Sequence, residues 1–289
     1  MRSVKFMYSK VSNMGDLLNE YLMERVFHFP YVRCAGRIWE VELTGIGSFM
    51  DVLFTGPEKM VKNPMKRVMK DFLCSLCVKE CNTWGTGFLD DFSAKRTGLI
   101  RNKVNFLAVR GKLTQQAIET ILGKKINPVL GDGGILAPML FEKEIPKKFE
   151  IGLIPHFREF HAKEIVLFQK KYPQIHIIDL QADPIQVIKE IASCEYIISS
   201  SLHGLILSDG FRIPNIRIKM TDAPLGTGFK FDDYYSAYDI VNPARQIRSI
   251  EDVPTKNEIV DLYRITDAMS KKMQDDMYSC MCKYRDSRR

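Results

Sequence analysis

The chain has 289 residues, 45% of them hydrophobic and 27% charged, with no low-complexity tract, which places it among folded globular proteins and excludes a disordered or fibrous class. A net charge of +7 favours anionic partners: phosphorylated small molecules, anionic lipid or nucleic acid. No zinc finger, RNP-type aromatic motif or helix-turn-helix signal accompanies that charge, and the basic residues are spread along the chain, so no nucleic acid is expected.

The opening residues Met1 to Tyr8 are charged and reach Asn13 and Asp16 without the apolar run of a signal peptide. No stretch approaches the roughly 18 apolar residues of a membrane span, so a cytoplasmic location is expected, with peripheral association at the inner membrane face left open. Val4 to Tyr8 reads as a strand, Asn13-Met14-Gly15-Asp16 as a turn, and Leu17, Leu18, Tyr21 and Leu22 as a helix face. Short apolar runs follow at Val41 to Leu43, Val52 to Phe54 and Val104 to Val109, the last leading through Arg110-Gly111 into a helix from Leu113 to Leu122 that Gly123 stops. Cys74, Cys77 and Cys81 have a spacing that suits one helical face, but no second ligand pair follows; reduced, buried thiols are expected and no metal.

Glu142 to Lys148 is charged, contains Pro146 and lacks an apolar stripe, so it reads as a linker between two domains, 1–145 and 146–289. Beyond it the pattern is regular. Strands at Ile151–Ile154, Ile175–Leu180, Tyr196–Ile198 and Ile216–Ile218 alternate with helices at Ala162–Tyr172, Pro184–Ala192 and Leu205–Phe211. Such alternation predicts an α/β fold with a parallel, doubly wound sheet. From about Lys256 to Tyr284, apolar residues at threes and fours predict one long C-terminal helix that packs across both domains.

In a parallel α/β sheet, ligands bind beyond the carboxyl ends of the strands. Four polar clusters fall there: Asn13 to Asp16, Arg110-Gly111-Lys112, Pro155-His156-Phe157-Arg158, and Ser199 to Gly204. The last places three hydroxyls and a histidine where a strand meets a helix. That suits either an anion with a proton-transfer group or an N-cap over a buried histidine, and the residues alone leave both open. Gly131 to Gly134 lacks the lysine of a P-loop and the spacing of a dinucleotide site, and reads as a plain turn. Gly226 to Tyr235 has the composition of a lid, a sugar platform or an ordinary capping loop.

Taken in order, Asn13–Asp16, Gly45–Ser48, Trp84–Phe88, Val109–Thr114, Gly131-Asp132, Ile154–His156, Ser199–Ile206 and Phe229–Tyr234 resemble the polysaccharide pyruvyl transferase family, in particular its exopolysaccharide branch. The resemblance implies two Rossmann-like domains in a GT-B-like arrangement, the N-terminal one on the acceptor side and the C-terminal one on the donor side. It implies transfer of a pyruvyl group from phosphoenolpyruvate to a surface-polysaccharide sugar as a cyclic ketal, with a sugar acceptor that can be lipid-linked and no metal or redox cofactor. His203 and Arg110 are then the catalytic pair; Arg110, Ser200, Ser201, His203, Lys230 and His156 line the donor, and Asn13, Asp16, Asp232 and Tyr234 the acceptor. One position departs from the pattern. Many relatives carry an arginine directly before the Leu-His pair where Ser201 stands, which leaves Lys230 or Arg158 to meet the phosphate charge. A nucleotide-sugar glycosyltransferase of the same architecture is the alternative enzyme. Alanine at His203 or at Arg110 is expected to remove activity and leave the fold intact.

Overall fold

The computed structural model describes residues 2–9, 13–34, 37–55, 64–91, 97–222, 227–247, 249 and 251–289. The N-terminal half contains β1 (Val4–Met7), α1 (Met14–Tyr21), β2 (Tyr31–Arg33), β3 (Leu43–Thr44), β4 (Phe54–Thr55), α2 (Pro64–Ser75), β5 (Cys81–Thr83), β6 (Gly98–Leu99), β7 (Val104–Phe106), β8 (Ala108–Val109), α3 (Lys112–Leu122) and β9 (Val129–Leu130). Its main sheet is parallel, in the order β2-β1-β3-β5-β7. The strand expected over Val104 to Val109 is interrupted at Leu107; beyond the break, Thr86 bridges to Val109 and β8 pairs with β9, so the sheet carries on past its own edge. The apolar run at Val52 to Phe54 is a 3-10 turn, Met50–Leu53, that leads into β4, which pairs antiparallel with β6.

The C-terminal half contains β10 (Phe149–Ile154), α4 (Lys163–Lys171), β11 (His176–Ile177), α5 (Pro184–Ala192), β12 (Cys194–Ser199), α6 (Leu202–Gly210), β13 (Asn215–Lys219), α7 (Phe229–Ser236), β14 (Arg245–Gln246), α8 (Lys256–Leu262) and α9 (Asp267–Asp286). The sheet order β11-β10-β12-β13-β14 is parallel throughout and repeats the first half's pattern, in which the second strand lies outside the first and later strands run the other way. The fold is therefore α/β with two parallel, Rossmann-like sheets. Each sheet reverses its winding beside its first strand, and it is there that an open α/β sheet leaves a crevice.

The expected single C-terminal helix is two. Thr255 and Glu258 form a capping box at the start of α8, Tyr263 to Ile265 are extended, and the Thr266 side chain accepts from Met269 N to start α9. A hydroxyl that satisfies a free first-turn N–H favours a fresh start over a continuous helix. α9 packs on both halves. Trp84 Nε1 donates to Met277 O at 3.2 Å, Ser270 Oγ to Asp209 O at 2.7 Å, and Gln274 Nε2 to Ile135 O and Gly210 O at 3.0 Å each.

One apolar cluster runs through the molecule, from Phe6 and Leu18 by way of Ile135, Leu136 and Ala137 to Ile197, Leu205 and Met277. The 3-10 segment Gly133–Leu140 forms its centre, wedged between α6, α9 and α1. Cys74 and Cys81 are fully buried in a second cluster under α2 and α3, and no group of three or more potential ligands is gathered for a metal among the described residues. Because Met277 is fully buried where Trp84 and Gly131 converge, Met277→Ala should cost about 2–5 kcal/mol, read as a lowered urea midpoint with an unchanged slope.

Candidate active site

The crevice of the C-terminal sheet opens between β10 and β12. Ile154-Pro155-His156 leaves the first strand and Ser199-Ser200-Ser201 the second, and Glu159 ties the two turns together from beneath. Its fully buried carboxylate accepts hydrogen bonds from His156 N at 3.3 Å, Ser200 Oγ, Thr221 N at 3.1 Å and Thr221 Oγ1 at 2.7 Å. Ser199 Oγ donates to Ile154 O at 2.9 Å and accepts from Ser201 N at 3.0 Å, so the first two hydroxyls are structural. Ser201 occupies the N-cap of α6 without a side-chain capping bond.

His203 lies in the first turn of α6, against the N-terminal half. Its ring sits so close to Gly15 that a Cβ there would come within 2.0 Å of Nδ1, which makes a glycine obligatory where α1 meets α6. Its Nε2 is closed off from solvent and has no hydrogen-bond partner. Burial, with Lys230, Arg110 and His156 nearby, pushes its pKa down to about 3; burial, Lys230 and Arg158 push that of His156 down to about 4. Both rings are neutral at pH 7. A buried imidazole nitrogen without a protein partner costs free energy unless another donor or acceptor meets it.

The crevice of the N-terminal sheet opens against the same place. Asn13 Nδ2 donates to Asp16 Oδ2 at 3.3 Å, while Asn13 Oδ1 is enclosed without a partner. Burial pushes the Asp16 carboxyl up to about 6 against the opposing pull of Asn13 and Lys230. The loop Gly45–Ser48 is fixed by Asn19, which accepts from Ile46 N at 2.9 Å and donates back to Ile46 O at 3.2 Å. Met14 N donates to Leu180 O at 2.8 Å and fastens the start of α1 to the other half.

Arg110 joins the halves. It is fully buried, donating from Nε to Asp233 Oδ2 at 2.9 Å, from Nη1 to Ser48 Oγ at 2.6 Å and from Nη2 to Phe88 O. Asp233, on α7, also accepts from Thr114 N and Thr114 Oγ1, both at 2.7 Å. The expectation that Arg110 can be removed with the fold intact is corrected on this ground, because alanine would strand the Asp233 carboxylate in the interior.

Lys230 stands one residue into α7, and burial together with Arg110 and Arg217 lowers its pKa to about 8. Arg217, from β13, is held by Asp232 at 2.8 Å and by Asn242 O at 3.1 Å, and stacks 4.1 Å from the Phe231 ring. It lines a cavity of about 140 Å³ with Glu159, Ser200, Thr221, Thr227 and Phe231. Larger cavities of about 720, 660 and 320 Å³ lie at the linker, beneath α9 and beside the end of α3, and contain none of the expected site residues.

The structure thus brings Asn13, Asp16, Arg110, His156, Ser200, Ser201, His203 and Lys230 to one junction, with Arg158 and Arg217 beside them. It does not bring Tyr234, which was expected to touch the acceptor. That side chain is fully buried, its hydroxyl donating to Asp209 Oδ2 at 3.0 Å, and it presents no surface to a ligand. Asp232 faces Arg217 at the rim, and Gly226 lies outside the described residues. Glu159, Asp233 and Arg217 are organising residues that no local motif marks; the one trace is Arg217 standing between the buried Ile216 and Ile218 of a strand covered on both faces.

Residues 7–220 match the family model described as Polysaccharide pyruvyl transferase. An uncharacterized protein of Acanthamoeba polyphaga mimivirus is 30% identical over 136 residues, or 46% of this chain and 47% of that protein, so the match spans about half the length of this curated relative. Among solved structures, E. coli heptosyltransferase WaaC with ADP-2-deoxy-2-fluoro heptose aligns over 78% of this chain and 91% of its own, at 14% identity and a TM-score of 0.31.

The latch has a direct test. Arg110→Ala and Asp233→Ala should each lower stability by about 3–5 kcal/mol, because each leaves one buried charge unpaired. Arg110→Met and Asp233→Leu should cost as much singly, and the double variant that joins them should recover much of that loss, so that chemical denaturation of the four proteins yields a clearly non-additive cycle.

Proposed function

Since the chain belongs to the polysaccharide pyruvyl transferase family, we propose that it transfers the pyruvyl group of phosphoenolpyruvate to two hydroxyls of a polysaccharide-building sugar, forming a cyclic ketal and releasing phosphate. The observation that carries this reading is the unpartnered His203 Nε2 beside Lys230 and Arg110, with Arg158 and Arg217 in turn beside Lys230, where the two crevices meet. A small polyanion is the ligand such a field selects, and a nearby proton carrier is what its chemistry requires.

Phosphate and carboxylate are held by Lys230 and Arg217, with Ser201 at the turn, and Arg110 supplies positive potential from behind. Arg217 thereby takes up the charge that an arginine at position 201 would have met. Burial is the main weight against a charged His203; the bound polyanion stabilises the imidazolium against it and offsets Lys230 and Arg110, and the imidazolium then gives its proton to C3 of the donor as positive character develops at C2. A sugar hydroxyl then bonds to C2 and passes its proton to the neutral imidazole, which restores the acid. The C2–phosphate bond breaks, the second hydroxyl closes the ring, and its proton leaves with phosphate. Asn13 Oδ1 and the Asp16 carboxyl accept from the incoming hydroxyls.

His203→Ala should fold normally and lose at least about 100-fold in turnover, measured as phosphate release with phosphoenolpyruvate and a sugar panel, with product mass confirming the ketal. Stabilisation by UDP or GDP and none by phosphoenolpyruvate in thermal shift would instead favour nucleotide-sugar chemistry.

The pH dependence follows from Lys230. With its pKa lowered to about 8 by burial and by Arg110, Arg217 and Arg158, against Asp90, it is charged below that value and loses the charge above it. kcat/KM for phosphoenolpyruvate should therefore fall as pH rises through about 8, and Lys230→Arg should move that fall upward because guanidinium stays charged.

A further inference from the structure

Exposed apolar surface among the described residues is concentrated on one helix. α2 turns Met65, Val68, Met69 and Phe72 to solvent, each more than half exposed, and Leu76 continues the row one residue beyond its end. These five positions fall within about 100° of one another around a 3.6-residue helix. Cys74, on the other side, is fully buried in the N-terminal half. An apolar stripe turned outward from a helix already docked on its other side marks a surface that something covers.

The neighbouring sequence says what. Residues 58–72 carry Lys59, Lys62, Lys66, Arg67 and Lys70 against Glu58 and Asp71. We propose that α2 is a peripheral docking element whose outward face lies on an anionic lipid bilayer. Apolar side chains in one row and an excess of basic residues in the same short stretch are the two features that hold a helix at a lipid interface. A second copy of the chain is a poorer cover, because a two-fold interface would bring the same basic sequence against itself. Among the described residues no helix is long and apolar enough to cross a membrane, so the element lies on the surface.

Position adds a third argument. α2 returns the chain to the start of β5 and so runs against the strand direction, which puts its Pro64 end at the carboxyl edge of the sheet, the edge where Gly87, Phe88 and Arg110 stand. Docking by α2 therefore brings the catalytic edge towards the headgroups. The inference goes beyond the reaction proposed above, and its test needs no substrate.

The full-length protein is mixed with vesicles of phosphatidylglycerol in phosphatidylcholine, or of phosphatidylcholine alone, and the vesicles are pelleted. Wild type should sediment with the anionic vesicles, less with the neutral ones, and less as salt is raised. The pair Val68→Asp with Phe72→Asp should reduce the bound fraction about tenfold or more, and the milder Met69→Ser should move it in the same direction, with melting temperature and phosphate release on a water-soluble acceptor unchanged. Absence of turnover in wild type and variants alike would count against the reaction and leave the vesicle result standing. Equal binding by the aspartate pair, no binding by wild type, or a wild-type dimer that the pair converts to monomer would each overturn the lipid assignment.

Discussion

The Arg110–Asp233 pair is the constraint on which the rest of the site rests. Arg110 follows β8 in the N-terminal half and Asp233 lies on α7 in the C-terminal half, and both are fully buried. Removing two charges from water is repaid only if their hydrogen bonds are satisfied, and here Thr114, Ser48 and Phe88 complete the set. The same fixture sets the turn of α7 that carries Lys230 and brings the Ser48 loop up to it. Thr227, just ahead of α7, adds a second tie by donating from N and Oγ1 to Asp90 Oδ1 at 2.6 and 3.0 Å.

What the latch assembles is a place of like charge. Burial first, and then the charges of Arg110, Arg217 and Arg158 on Lys230 and of Lys230 with Arg110 or Arg158 on the two imidazoles, lowers the proton affinity of Lys230 and both histidines. Burial and like charge together lower the stability of this junction, and a bound anion would relieve the like-charge part, which favours a polyanionic ligand. Sign matters in the stability relation. The histidine pKa values are depressed, so the unfolded chain binds protons first as the pH drops; stability from these groups is complete above about 6.5 and is lost as the pH falls towards the values near 4 and 3.

The fold was largely legible because parallel strands buried on both faces read as short apolar runs, and helices between them keep their period. Pro184–Ala192 was readable to the residue, since Asp183 caps it and Pro184 fills its first turn. The turns at Asn13, His156 and Ser199 were legible as polar strand ends that meet, because parallel strands deliver their following loops to one edge. Tyr234 was not legible: an aromatic next to two aspartates has the same composition whether it faces a sugar or, as here, a buried carboxylate 25 residues away in the chain. Glu159, Asp233 and Arg217 stayed hidden because their partners are 62, 123 and 15 residues distant, and only folding shows the pairing. The break between α8 and α9 was missed because Tyr263 keeps the apolar period while Thr266 starts a new cap.

α9 has a mechanical consequence. Two-sheet enzymes of this kind are often pictured as jaws that swing about a hinge, but here the last helix is pinned by Trp84 on one side and by Asp209 and Gly210 on the other, over a hydrophobic interior common to both halves. Parting the jaws would expose Met273, Met277 and Met281 to water. A ligand of the junction would then have to pass the rim with the two halves held together, without a swing of one sheet against the other.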